Sequence, residues 1–124
     1  MMPRRAVVLL ISLLGSVSSA SGQEATERFI PIGQSPGLSG IHTMIGEIRN
    51  VDAQKQTLTV AAEGRTYDVV VTEHTRIWID RSPLKLPALT GDFDDCNRGL
   101  KVEVKLEEEG QRAADWIKVQ QAAR

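Results

Sequence analysis

The sequence predicts an all-β protein, a small antiparallel barrel of five to six strands that follows a cleaved signal peptide. Three observations lead to this prediction. Apolar and polar residues alternate with a period of two in several short segments between residues 41 and 120. Short polar or glycine-containing turns separate these segments, as in sheets built from hairpins. The first twenty residues have the composition of an export signal.

Residues 1–20 show the three regions of a secretory signal peptide in order. Residues 1–5 (MMPRR) are cationic, residues 6–14 (AVVLLISLL) are apolar, and residues 15–20 (GSVSSA) are small and mostly polar. A transmembrane helix needs about 20 apolar residues, so this shorter run predicts no membrane span after cleavage. We expect cleavage after Ala20, with Gly22 as second choice, and export of the protein, with the periplasm as its location.

The chain is expected to have four segments: a signal peptide (1–20), a flexible leader (21–40), a barrel (41–120) and a short tail (121–124). The leader is rich in Ser, Gly, Pro and Gln and has no sustained hydrophobic period. It is therefore either a flexible leader or a partly ordered arm. In the second case Phe29, Ile30 and Ile32 would pin part of it onto the barrel.

Six segments of the barrel region have the alternation of half-buried strands. The alternation is clearest in residues 100–107 (LKVEVKLE), where leucines and valines alternate with lysines and glutamates, Glu103 among them. Such a pattern is typical of an antiparallel sheet with one buried face and one solvated face. The predicted strands are residues 44–51, 57–62, 66–71, 76–80, 100–107 and 112–120.

The connections between these segments carry signals of their own. Gly64 lies in a tight turn that favours a positive φ. A β-bulge is expected near Ala114 and Asp115. The longer connection that ends at Leu100 contains apolar residues that would cap one end of the barrel, with a single helical turn over residues 92–96.

A set of dispersed motifs accompanies these strands: Gly46-Glu47-Ile48, Leu58-Thr59-Val60, Tyr67-Asp68-Val69, Gly99-Leu100-Lys101-Val102 and Ala114-Asp115-Trp116-Ile117. They resemble the motifs of exported bacterial small-barrel domains of unknown function. The resemblance covers roughly residues 44 to 120 and implies an OB-like barrel, and it specifies a fold better than an activity. The chain departs from that family at Cys96, where a leucine is usual, and in the longer stretch 79–90.

Composition and motifs exclude several classes of function. Aromatic residues are only 4% of the chain and the net charge is −1, so the chain has neither the rings nor the basic surface of a nucleic-acid-binding protein. The sequence contains no Gly-x-Ser-x-Gly motif, phosphate loop or His-Glu-x-x-His motif. We therefore expect a non-catalytic binding or accessory module without a cofactor, whose partner is an unknown protein or small ligand of the cell envelope.

The alternative function is binding of a soft metal ion. The similarity of the fold extends to periplasmic copper and silver chaperones, although the Met-x-Met of those proteins is absent here after residue 44. His42 and Met44 form a His-x-Met that on a strand would suit Cu(I) or Ag(I), with His74 as a third ligand. Otherwise Met44 fills a gap in the core and His42 is exposed at the start of a strand.

Acidic residues in the long connection resemble the start of a calcium loop. Asp92, Asp94 and Asp95 have part of the spacing of such a loop, but Cys96 and Asn97 stand where Asp or Asn and then Gly are needed. The alternative interpretation is that Asp92 caps a helical turn.

Two tryptophans and the single cysteine are the remaining candidates. Trp78 and Trp116 lie on the polar side of their strands, so they either form an exposed contact surface or pack under the leader or the long connection. Cys96 is a buried inert thiol, a reactive group, or the crosslink of a disulfide-bonded dimer.

Overall fold

The computed structural model describes residues 27–121 and confirms an all-β protein. The predicted signal peptide (1–20) lies outside the described residues, as do residues 21–26 and 122–124. The strands are β1 (Met44–Asp52), β2 (Thr57–Ala62), β3 (Arg65–Val70), β4 (Arg76–Asp80), β5 (Leu89–Thr90), β6 (Lys101–Leu106) and β7 (Ala114–Gln120). Two short 3-10 turns, Ser82–Leu84 and Phe93–Asp95, lie between β4 and β6.

The seven strands of residues 27–121 form one sheet in the order β3-β2-β1-β6-β7-β4-β5. All neighbouring strands are antiparallel except β4 and β7, which are parallel. The expectation of a wholly antiparallel sheet was therefore wrong. Two parallel contacts are present: β4 pairs with β7 along its whole length, and Val70, the last residue of β3, bridges Ala113 just before β7. A period-two pattern marks a strand but carries no information about its direction.

The predicted strands match the observed strands closely. Predicted and observed bounds are identical for β2 and β4, and every other predicted strand is found within two residues of its bounds. Gly64 has φ of 77° in its turn, and Asp115 is the extra residue of a bulge opposite β6, as predicted. The sequence missed β5, because two residues are too few for an alternation to be recognised.

One face of the sheet forms the hydrophobic core. Its fully buried side chains come from β1, β2, β3, β6 and β7, and burying each Val, Leu or Ile contributes about 1.5–3 kcal/mol. Gly46 allows β1 and β2 to approach closely, because a Cβ at this position would lie only 2.0 Å from the carbonyl oxygen of Ala61. The central members are Ile48, Leu58, Val60, Val69, Val102, Val104, Ile117 and Val119.

The opposite face was expected to be solvated, and in its centre that expectation was wrong. Glu103 is 0% exposed and Lys118 is 1% exposed, and they are partners across β6 and β7. Trp78 of β4 pairs with Lys118 from the other side of β7 and is also buried. The segment of residues 27–43, here called the N-terminal arm, supplies the hydrogen-bond partners of Glu103 and Lys118 on this face.

Lys118 holds the beginning of the arm. Its Nζ donates to Glu27 Oε1 at 2.5 Å, to the Ile30 carbonyl oxygen at 2.9 Å and to Ser35 Oγ at 3.2 Å. These contacts use the three protons of the ammonium group. Ser35 Oγ also donates to Glu27 Oε1, and Lys118 Nζ lies 4.7 Å from the centre of the Trp116 ring. The buried positive charge of Lys118 is therefore compensated by polar groups of the arm and by the ring of Trp116, two residues before it on β7.

Two carboxylates hold the rest of the arm. Glu103 accepts from the Gly33 N–H at 3.1 Å and from Thr43 Oγ1 at 2.7 Å. Asp80 accepts from the Ile32 N–H at 3.0 Å and from the Ser82 N–H at 2.8 Å. Burial alone would raise the pKa of Asp80, but the hydrogen bonds from Ile32 and Ser82 outweigh burial and leave this pKa below 3.8. Asp80 therefore stays ionised at neutral pH and keeps its hold on the arm.

Replacing the Lys118 ammonium should destabilise the whole protein. Lys118→Met keeps the apolar stem but leaves Glu27, Ser35 and the Ile30 carbonyl without their donor, at a cost of about 3 kcal/mol in the free energy of unfolding. The matched control is Lys101→Met, at the exposed first residue of β6, which should change stability by less than about 0.5 kcal/mol. Urea unfolding followed by tryptophan fluorescence measures both values. Equal stability of the two variants would contradict the role given to Lys118.

Candidate functional site

A cavity of about 470 Å³ lies at the end of the sheet where β1 begins and β6 ends. Its walls come from the last part of the arm, from the β2–β3 hairpin and from the turn that follows β6. The volume is within the range of small-molecule sites, which are clefts of roughly 300–1,000 Å³. This cavity is the candidate functional site.

The floor of the cavity is apolar. Met44 and Val104, which are partners across β1 and β6, line it together with Tyr67 and Leu106. Ile41 lies on the arm side and is 70% exposed, the most exposed large hydrophobic side chain of residues 27–121. An exposed aliphatic side chain beside an open apolar floor marks a surface that a ligand can cover.

The arm wall of the cavity is fixed by the contacts that hold the arm to the sheet. The N–H groups of Ile41 and His42 both donate to the Leu38 carbonyl oxygen, at 3.1 and 3.0 Å, which closes a compact turn. Thr43 Oγ1 accepts from the Gly40 N–H at 3.0 Å and donates to Glu103. The buried Glu103 therefore positions the turn that carries Leu38 and Ile41 into the cavity.

The rim of the cavity is acidic. Glu63 follows β2, and Glu107, Glu108 and Glu109 follow β6, so four carboxylates line the cavity. Lys105 also lines it, but its Nζ lies 3.5 Å from Asp115 Oδ2 and forms an ion pair there. The cavity thus combines an apolar floor with a negatively charged mouth.

Two of the three predicted metal ligands are brought together. His42 and Met44 both line the cavity, although His42 lies in the turn before β1 rather than on the strand. His74 is not a lining residue: it lies on the turn between β3 and β4, where its Nε2 is 3.6 Å from Glu73 Oε1. Within residues 27–121, no three His, Cys, Asp or Glu side chains are grouped as ligands of a metal ion.

The tryptophans are not exposed. Trp78 and Trp116 are 6% and 4% exposed, with their ring centres 5.7 Å apart. They lie on the face that carries Lys118, whose contacts attach the arm. Neither ring is therefore an exposed contact surface, and the burial of both agrees with the other interpretation, in which each tryptophan packs under the leader or the long connection.

The acidic residues of the long connection cap a helical turn. Asp92 accepts from the Asp94 N–H at 3.0 Å, and Asp95 accepts from the Asp92 N–H at 2.8 Å, so the two form a capping box. These carboxylate oxygens are used within the turn, which favours the capping interpretation over the calcium loop.

Cys96 is buried in the hydrophobic core and does not support a disulfide-linked dimer. It is 1% exposed and packs in the same cluster as Phe93 and the buried valines. Burial, with a smaller contribution from the charges of Asp95 and Asp92, raises the pKa of the thiol to about 12. A thiol that is protonated and covered is poorly placed to form a crosslink, so a Cys96-linked dimer is not supported, and the burial agrees with the alternative of a buried, inert thiol.

Native protein should therefore be unreactive toward thiol reagents. At pH 8 in the absence of denaturant, we expect Ellman's reagent to label far less than one thiol per chain over an hour. The same protein in 6 M guanidinium chloride, which exposes Cys96, should react fully within minutes and serves as the control. Complete labelling of folded protein would contradict the buried, protonated state of this thiol.

Searches among protein families, curated proteins and solved structures found no match to this chain. What is shown is the fold class, an all-β protein with one seven-stranded sheet in residues 27–121. In this part of the chain no helix has the length and apolar character needed to cross a bilayer.

Sequence reasoning missed most of the cavity. The sequence singles out His42 and Met44, but for metal binding, and it does not connect either residue with Glu107 to Glu109. Tyr67, Ile41 and the acidic residues come from segments far apart in the chain, so no local motif joins them. The only sequence signal was the run of three glutamates next to the apolar end of a strand.

Proposed function

We propose that this chain is an exported, non-catalytic binding module that holds a small ligand in the cavity at the end of its sheet. The observation that carries the proposal is the cavity of about 470 Å³ with its apolar floor and the exposed Ile41 beside it. An open apolar pocket with a few polar groups at its edge is the usual form of a small-molecule site.

The proposal includes an OB-like barrel. Its support is the contact between the two distant parts of the sheet: the Val70 N–H donates to the Arg112 carbonyl oxygen at 2.9 Å, and Val70 bridges Ala113. This contact brings the end of β3 to the beginning of β7. OB-type barrels bind ligands through their middle strands and adjoining loops, and the cavity is lined by β2, β3 and the turns next to them.

Export to the periplasm is the second part of the proposal. It rests on the cationic, apolar and small-residue regions of residues 1–20. The partner is accordingly a molecule of the cell envelope rather than a nucleic acid. The net charge of −1 and the low aromatic content favour the same choice.

Binding is proposed rather than catalysis because the sequence contains no Gly-x-Ser-x-Gly, phosphate-loop or His-Glu-x-x-His motif, and because the described groups whose pKa is shifted lie outside the cavity. Catalytic sites concentrate side chains with shifted pKa values. The lowered pKa of Asp80 and the raised pKa of Cys96 belong to groups outside the cavity, one holding the arm and one in the core.

Soft-metal binding remains the second candidate, because His42 and Met44 both line the cavity. A thioether and an imidazole are suitable ligands for Cu(I) or Ag(I). His42 and Met44 are both available to such a site, whereas His74 does not line the cavity.

Ile41→Ser should weaken ligand binding without unfolding the protein. The side chain is exposed, so its loss costs little stability, but it removes part of the apolar surface that a ligand covers. Leu86→Ser is the matched control, since Leu86 is also exposed and does not line the cavity. A library of small apolar and amphiphilic compounds, screened by ¹⁵N–¹H NMR shifts of Met44 and Leu106, identifies binders. Their affinity should fall at least threefold in Ile41→Ser and be unchanged in Leu86→Ser.

Native mass spectrometry of protein purified from the periplasm separates the two candidates. An added mass of one copper or silver ion, lost in Met44→Ala, would replace the small-molecule proposal by the metal proposal. Absence of any binder that shifts Met44 or Leu106 in the NMR screen, together with an unloaded mass, would contradict both.

A further inference from the structure

We infer that the ligand of this cavity is a small organic cation with an apolar body, such as an alkylammonium compound. The inference rests on the proposed function, and it adds the chemical class of the ligand. It depends on two properties of the same cavity, the charge of its rim and the apolar character of its floor.

The rim selects a positive charge. Glu63 on one side and Glu107, Glu108 and Glu109 on the other line one cavity, so exposed acidic residues contribute to it from two separate hairpins. Two of the lining side chains are basic in type, Lys105 and His42. Lys105 is already paired with Asp115. A cation at the mouth would therefore interact favourably with several carboxylates, whereas an anion would be repelled by them.

The floor selects an apolar body. Met44 and Leu106, which are only partly buried, present thioether and aliphatic surface above the buried Val104, and Ile41 is exposed beside them. Covering apolar surface contributes about 25 cal/mol per Å², so a hydrocarbon chain gains affinity here that a metal ion or a simple amine does not. Tyr67 adds an aromatic ring, a group with which ammonium ions interact favourably.

The acidic rim and the apolar floor together favour a ligand that carries both a positive charge and a hydrocarbon chain. Charge alone would attract any cation, and the floor alone would accept any apolar molecule. Exposed carboxylates act weakly one by one, but four around one opening add to each other and act at short range. The expected preference is therefore moderate and decreases with ionic strength.

The test compares three probes with the same eight-carbon chain: octylammonium, 1-octanol and octanoate. Each is titrated at low ionic strength into the protein recovered after export, with the NMR shifts of Ile41, Met44 and Leu106 as the readout. Octylammonium should bind at least tenfold more tightly than 1-octanol, and octanoate should bind more weakly than either. Raising the salt concentration to 0.5 M should reduce the preference for octylammonium by threefold or more.

Two triple variants distinguish the charge of the rim from the net charge of the protein. The triple variant Glu107→Gln, Glu108→Gln, Glu109→Gln should reduce octylammonium affinity at least fivefold and leave 1-octanol unchanged. The control variant Glu47→Gln, Glu73→Gln, Asp94→Asn removes the same number of exposed carboxylates outside the cavity and should change neither affinity.

The outcomes distinguish this inference from the proposed function. If 1-octanol or octanoate binds in the cavity as tightly as octylammonium, the cavity is a binding site but the assignment of a cationic ligand is wrong. Equal loss of octylammonium affinity in the two triple variants would also overturn the assignment, because the loss would then be caused by the net charge of the protein and not by the rim of the cavity. If none of the probes shifts Ile41, Met44 or Leu106, the proposed function fails, and the inference fails with it.

Discussion

The contact of Lys118 with the N-terminal arm is the interaction on which the rest of the structure depends. A lysine in the middle of a sheet can be buried only if partners compensate its charge. The arm supplies them through Glu27, the Ile30 carbonyl and Ser35. The negative charges of Glu103 and Asp80 are compensated in the same way, since each carboxylate accepts a hydrogen bond from a backbone N–H of the arm. The buried charges of the sheet therefore depend on the arm, and the arm is held in place by these same charges.

The same contacts explain how a small sheet comes to have a cavity. Strands alone would leave the start of β1 and the end of β6 open to water. Glu103 fixes Thr43, and the turn before it carries Leu38 and Ile41 to that end, opposite the hairpins that bring Tyr67 and the glutamates. The site that we propose for an amphiphilic cation is thus a product of the folded arm, and the apolar floor and the acidic rim are joined only in the tertiary structure.

The sequence predicted the elements of this fold well and their environment less well. Alternation correctly put Glu103 opposite the core side chains of β6, because the period of a strand is a local property. It did not reveal that Glu103 is buried, since what covers a face is decided by residues far away: Lys118 and Glu27 are 91 residues apart. The arm is attached to the sheet by individual hydrogen bonds rather than by a row of apolar side chains. Its sequence therefore shows no hydrophobic period from which the attachment could be predicted. His42 and Met44 were recognised as candidates, but the cavity that joins them to Tyr67 and the glutamates could not be predicted from spacing.

The most direct test of this account is native-state hydrogen exchange of the arm. The central claim is that residues 27–43 are an integral part of the fold, held by Lys118, Glu103 and Asp80. The account predicts that the Ile32 and Gly33 amides exchange only through the same cooperative opening as the amides of β6, with the same dependence on denaturant. Exchange of these two amides through a much smaller opening, while β6 stays protected, would contradict it, because the arm would then be a detachable segment and the cavity wall that it forms would not be stable.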